Sequence, residues 1–175
     1  QKSRQNYGES FSPMSKVVFL KEVLRSAKTM GAVAPYNKKV GQLVNSKIMS
    51  IDKGSSLVEI GPGTGAITEN LLDNMHKGNS FLLELNPSFV THLRKRFPAL
   101  KTHQGSLENL NDFLVKEKMK KVDNIVCSIP WSYYDEKFHQ HSLQLISDNL
   151  SEGGQFITVT NLPSLLLKSG RAFRR

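Results

Sequence analysis

Leu57-Val58-Glu59-Ile60-Gly61-Pro62-Gly63-Thr64-Gly65 decides how this chain folds. The apolar pair Leu57-Val58 begins a short strand that carries the acidic Glu59. Closely spaced glycines then turn the chain into the helix-like Ala66-Ile67-Thr68-Glu69-Asn70-Leu71-Leu72. Such a turn lets a ligand approach bare backbone, and glycine alone tolerates that approach. The spacing is G-x-G-x-G. It departs from the G-x-G-x-x-G dinucleotide fingerprint and suits a nucleoside without a pyrophosphate to cradle. A second apolar run, Phe81-Leu82-Leu83, ends in Glu84. That is about twenty residues on, where a doubly wound fold places the carboxylate that accepts from ribose hydroxyls.

Further strands follow at Lys101-Thr102-His103-Gln104, from Val122 or Asp123 to Cys127, and at Gln155-Phe156-Ile157-Thr158-Val159-Thr160, introduced by Gly153-Gly154. Five strands alternating with helical segments predict an α/β fold: a Rossmann-like, doubly wound, mostly parallel sheet. The chain of 175 residues is long enough for a real core but small for this fold. It has one cysteine, Cys127, which excludes a disulfide framework and a cysteine-based metal cluster. No apolar run approaches the roughly 20 residues needed to span a bilayer, so a cytoplasmic enzyme is expected. The chain opens at Gln1, and its true start is expected upstream.

Charge divides the chain into a basic segment, residues 1–50, and a catalytic region, residues 51–175. Through Gly54 ten lysines and arginines face three carboxylates, which supplies +7 of the formal net charge of +9. The rest is almost neutral, with Arg171, Arg174 and Arg175 at its end. This asymmetry points to a polyanionic partner, an anionic membrane or nucleic acid. Within the segment, Met14 to Lys28 places Val17, Leu20, Leu24 and Ala27 on one side of a helix with Lys16, Lys21, Arg25 and Lys28 elsewhere. Such a helix lies in a lipid interface or packs its apolar face on the core, and periodicity alone favours packing. A small-residue connector, Gly31-Ala32-Val33-Ala34-Pro35, leads to Tyr36-Asn37 and a further helix near Lys38 to Met49.

The glycine motif and Glu84 resemble those of class I S-adenosylmethionine-dependent methyltransferases. The resemblance implies S-adenosylmethionine as cofactor, with Glu59 and the backbone from Gly61 through Pro62, Gly63 and Thr64 to Gly65 around its methionine part. It places the ribose at Glu84 and Leu85. Gly105-Ser106-Leu107 stands where that family carries an acid for the adenine amine. Ser106 replaces the acid, and a serine capping the helix near Leu107 is the alternative. Cys127 completes the implied cofactor set.

Phe19-Leu20 and Gly31 to Pro35 resemble the bacterial phosphatidylethanolamine N-methyltransferases, from about Phe19 to Thr160, with Tyr36-Asn37 in place of two serines. This implies that the Met14 to Lys28 helix docks peripherally on an anionic membrane and that phosphatidylethanolamine is the substrate. Ser128-Ile129-Pro130-Trp131, after the fourth strand, is similar to the N-[LI]-P-[YF] loop of rRNA adenine dimethyltransferases. In such enzymes it positions the acceptor nitrogen. Ser128 stands in place of asparagine, which argues against adenine and suits an aliphatic amine, whose lone pair is not delocalised into a ring. Trp131 would stabilise a methylated ammonium or cover the cofactor from solvent. The implied acceptor set is thus Ser128, Ile129, Pro130, Trp131 and Tyr36, with no metal.

Methyl transfer needs alignment and desolvation more than a protein nucleophile, so no catalytic triad is expected. Tyr133, Tyr134, Asp135 and His139 are candidates for taking the acceptor's proton, or simply polar residues at a helix start. His139 and His141 lie on different helix faces and do not form a metal pair. An RNA adenine N6-methyltransferase, a small-amine methyltransferase and a non-catalytic binding module remain as alternatives. The family usually adds two strands after the fifth, so either truncation or the absence of part of the protein beyond Arg175 is also expected.

Overall fold

The computed structural model describes residues 38–48, 54–76 and 78–159. The basic helix at Met14 to Lys28, the connector with Tyr36, and everything after Val159 lie outside the described residues. The described elements alternate. Helix α1 (Lys38–Lys47) precedes β1 (Leu57–Ile60), α2 (Thr68–Leu71), β2 (Ser80–Glu84) and α3 (Pro87–Arg96). There follow β3 (Lys101–Gln104), α4 (Leu110–Lys116), β4 (Val122–Cys127), α5 (Glu136–Asn149) and β5 (Leu150–Thr158).

All pairings are parallel, in the order β3-β2-β1-β4-β5. The doubly wound expectation is borne out. Its direction of winding reverses between β1 and β4, where such sheets open a crevice at the carboxyl ends of their strands.

The central strands are buried on both faces, which is why they read as continuous apolar runs rather than alternating ones. Period-two alternation divides their side chains. Val58, Ile60, Phe81, Leu83, Ile125 and Cys127 pack with Leu110, Leu114, Trp131 and Ile146. Leu57, Leu82 and Val126 pack on the other face with Val44, Ile67, Leu71, Leu93 and Phe97. Helix α1 therefore shares the core of the sheet through Val44. Glu59 has the parity of Leu57 and Glu84 that of Leu82, so both carboxylates project from this second face.

Helix ends follow local chemistry. Asn86 caps α3 by accepting from the Ser88 N–H at 2.9 Å, with Pro87 in the first turn and Arg94, Lys95 and Arg96 in the last. Asp135 caps α5 by accepting from the Phe138 N–H at 2.8 Å.

The fifth strand differs from its expected span. Leu150 already pairs with Val122, and a shift in register then brings Gln155 opposite Asn124. Gly153 takes a φ of +73° inside this irregularity, so the two glycines interrupt the strand rather than introduce it.

Candidate active site

The loop after β1 continues the sheet before it turns. The Gly61 N–H donates to Leu83 O at 2.9 Å, and Gly65 N–H closes back on Pro62 O at 2.9 Å. Gly61, Gly63 and Gly65 all have positive φ, but their surroundings differ. A Cβ on Gly65 would lie 2.5 Å from the Phe97 ring, so this glycine admits a packed aromatic. A Cβ on Gly63 would meet nothing within 4 Å, so here the backbone faces open space.

Two carboxylates stand near the turn, one on β1 and one at the end of β2. Glu59 is fully buried, and its Oε2 accepts from the Thr68 hydroxyl at 2.7 Å while Oε1 has no protein partner. Burial pushes its carboxyl up to about 7, with Thr68 opposing and the charge of Glu84 adding. Glu84 accepts from Gly63 N–H at 3.0 Å and from Asn86 N–H at 2.8 Å. Burial raises it too, and these backbone donors, with that of Leu85, pull it back.

The loop after β4 arrives beside the glycines because β4 is the other neighbour of β1. Ser128 N–H donates to Ile60 O at 2.9 Å, and a Cβ on Gly61 would lie 3.1 Å from the Ile129 side chain. The Ser128 hydroxyl is buried with no protein partner. A buried polar atom left unpaired is costly. Glu59 Oε1 and Ser128 Oγ thus form two unsatisfied acceptors at the carboxyl ends of adjacent strands.

Other residues of the expected set are placed differently. Trp131 is 2% exposed, and its indole N–H donates to Thr158 Oγ1 at 2.7 Å. It is a core side chain, its ring packed near Phe138, His139 and Phe156. The Cys127 side chain faces the same core, and burial pushes its thiol up to about 12. Leu107 is buried there as well, and Gly105 makes room for Phe113, since a Cβ would lie 2.7 Å from that ring.

Ser106 is held by its own turn, its N–H donating to Asn109 Oδ1 at 3.1 Å, which accords with the capping alternative. Tyr36 lies outside the described residues. Of the proton-transfer candidates, His139 is buried with Nε2 2.8 Å from Trp131 O, Asp135 caps its helix, and burial raises the Tyr134 phenol. His139 is buried and His141 exposed on α5. No group of residues suited to a metal occurs among the described residues.

Sequence reading overlooked Glu108, and it named Tyr134 only as a candidate for taking the acceptor's proton. The Ser106 hydroxyl donates to Glu108 Oε2 at 3.3 Å, which returns a carboxylate to the position where the acid was missing. The Tyr134 phenol feels the charges of both Glu84 and Glu108, and its ring stacks on Phe138 at 3.8 Å. An acid two residues beyond Ser106 was the available signal for the first. The second depends on how the buried Trp131 turns the loop.

A family model described as ribosomal RNA adenine dimethylase matches residues 36–166. The chain belongs to the ribosomal RNA adenine dimethylase family. Membership makes it a class I S-adenosylmethionine-dependent methyltransferase, as the glycine motif implied. The relatives that the chain matches are named for different acceptors. The chain is 22% identical to an ornithine lipid N-methyltransferase of Singulisphaera acidiphila over 89% of its own length and 83% of that protein.

It is also 34% identical to ribosomal RNA small subunit methyltransferase A of Chlorobium chlorochromatii, over 43% of this chain and 28% of that one. Among solved structures, the S-adenosylmethionine-bound amino pentose methyltransferase CalS10 of Micromonospora echinaspora superposes with a TM-score of 0.53 at 18% identity. That match covers 77% of this chain and 55% of the other, and it shows the shared fold. The chain spans little more than half of that sugar enzyme and under a third of the ribosomal one.

Proposed function

We propose that this dimethylase-family protein is an N-methyltransferase for an aliphatic lipid amine, the phosphatidylethanolamine headgroup, at an anionic membrane surface. The observation that carries the reading is the buried, unpaired Ser128 hydroxyl beside the glycine loop. A hydroxyl there accepts one hydrogen bond, enough to align an aliphatic amine, and lacks the reach of an amide for an adenine amine. The lipid enzyme's match across most of both chains supports the same class of acceptor.

The residues present fit S-adenosylmethionine. Glu59 Oε1 would accept from the ammonium of its methionine part, and Glu84 from its ribose hydroxyls. Glu108 would stand in for the absent acid at Ser106 toward the adenine amine. The bound cofactor supplies an electrophilic methyl on a sulfonium. The chain's own part is to orient the acceptor at Ser128 and to keep water out, since transfer of this kind depends on alignment and desolvation.

Of the four candidates, Asp135 caps its helix, His139 is buried against the Trp131 carbonyl, burial raises Tyr134 and Tyr133 is exposed, so no base is assigned to the chain. The amine then arrives deprotonated, and turnover should rise with pH toward the amine's own pKa.

The test is methyl incorporation from labelled S-adenosylmethionine with the full chain, offering phosphatidylethanolamine in anionic vesicles and bulk RNA in parallel. Label in mono- or dimethylated lipid is the expected result. Label in RNA alone would overturn the lipid reading and favour the activity named by the family model. Label in neither would leave a small amine or a non-catalytic module.

A further inference from the structure

The loop that faces the open space has little to hold it. Three of its residues are glycines with positive φ, and α2, which follows, is only four residues long, too short to stabilise itself. Its support comes from the β2–α3 unit. At one end Glu84 Oε2 accepts from Gly63 N–H at 3.0 Å, while Oε1 accepts from Asn86 N–H at 2.8 Å where α3 begins.

At the other end, Arg96 Nη1 donates to Thr64 O at 2.8 Å and Nη2 to Glu69 Oε2 at 2.6 Å. The next residue, Phe97, packs into the space left by Gly65, and the Arg96 guanidinium lies 5.0 Å from that ring's centroid. The β2–α3 unit thus grips the turn at Gly63 through Glu84, at the end of β2, and at Thr64-Gly65 through Arg96 and Phe97, at the end of α3.

We propose that Arg96 is a positioning residue for cofactor binding: its guanidinium, bridging the Thr64 carbonyl and the Glu69 carboxylate, holds the glycine turn in its binding shape before the cofactor arrives. This rests on the cofactor placement proposed above. The ion pair alone contributes little, since the two side chains are 34% and 62% exposed. The bond to the carbonyl matters more, because Thr64 O belongs to the turn itself and a planar guanidinium reaches both acceptors at once. Ordering the turn in advance lowers the entropic cost of binding and leaves the transfer step alone.

The experiment compares the wild type with Arg96→Ala, Arg96→Lys and Glu69→Gln, measuring the dissociation constants of S-adenosylmethionine and S-adenosylhomocysteine by calorimetry. Arg96→Ala is expected to weaken both by about 5-fold to 10-fold, with kcat at saturating substrates within about 2-fold of the wild type. Arg96→Lys, with a point charge for two acceptors, should fall between, and Glu69→Gln should weaken binding by less than about 2-fold.

Amide exchange in the ligand-free protein provides a second readout. Gly63 and Gly65 N–H should exchange several-fold faster in Arg96→Ala while β1 and β4 keep their protection. A lowered melting temperature with unchanged affinity and unchanged exchange would mean a merely structural role and overturn the inference. If Arg96→Ala fails to fold, Arg96→Lys decides by the same criteria. A wild type that binds no S-adenosylmethionine would overturn the cofactor placement and this inference with it.

Discussion

At Glu59 folding and binding ask for opposite things. A carboxyl with no exposed surface is most comfortable protonated, whereas a cationic ligand wants it ionised. Its folded pKa of about 7 lies above the ordinary carboxyl value of 4.5, so the native state binds the extra proton between those values. Stability of the ligand-free protein should therefore fall as pH rises from about 4.5 to 7, by on the order of 3 kcal/mol if Glu59 acts alone.

Urea unfolding at pH 5 and pH 8 measures this difference, and Glu59→Gln should flatten it because the amide keeps an acceptor for Thr68 without titrating. The same variant should weaken S-adenosylmethionine by about 10-fold or more at pH 8, where the native carboxyl is charged. Equal affinity in both proteins at that pH would show that Oε1 is not the ammonium's partner. Glu59 and Glu84 were legible from sequence because each is defined by the strand it stands on. Trp131 was not. Its burial depends on Thr158 and Phe156, which come from another strand.

At the scale of an element, the glycine turn does two jobs that its spacing cannot separate. Gly63 faces open space and Gly65 faces Phe97, although both have positive φ. Gly63→Ala should cost about 1–2 kcal/mol in folding from the left-handed backbone, yet sharply weaken the cofactor by placing a methyl in the open space where the proposed site would hold it. Gly65→Ala should cost more in folding, about 2–4 kcal/mol, because strain and the clash with Phe97 add. Urea titrations with and without S-adenosylmethionine distinguish the two. A Gly63→Ala protein that binds normally would remove the ligand from that side of the turn.

The motif made the turn and its following helix readable, since both are set by local backbone preferences. The early start of β5 was hidden, because Leu150 is held by Val122 across the sheet rather than by its neighbours in the chain.

For the whole molecule, charge and shape are separately encoded. Residues 1–54, which precede β1, carry +7 of the net +9, while the rest of the chain is nearly neutral. If that segment brings the enzyme to a membrane, the full chain should sediment with anionic vesicles at 0.05 M salt. At 0.5 M it should release by several-fold, since screening shortens the reach of exposed charges. Replacing Lys16, Lys21, Arg25 and Lys28 by glutamine should have the same effect at low salt. Retention of the four-fold variant on vesicles would count against the segment as the membrane contact.

No described helix is long and apolar enough to cross a membrane. The sequence by itself determined the alternation of strands and helices, the glycine turn, the two acidic strand ends and the family resemblance, because all of these arise from short-range periodicity and backbone preference. Only the tertiary structure decided which atoms are left unpaired at the site, that Trp131 and Cys127 turn into the core, and that Arg96 reaches back to Thr64. Each of these is a contact between segments that the sheet order brings together, and the spacing of residues along the chain carries no record of it.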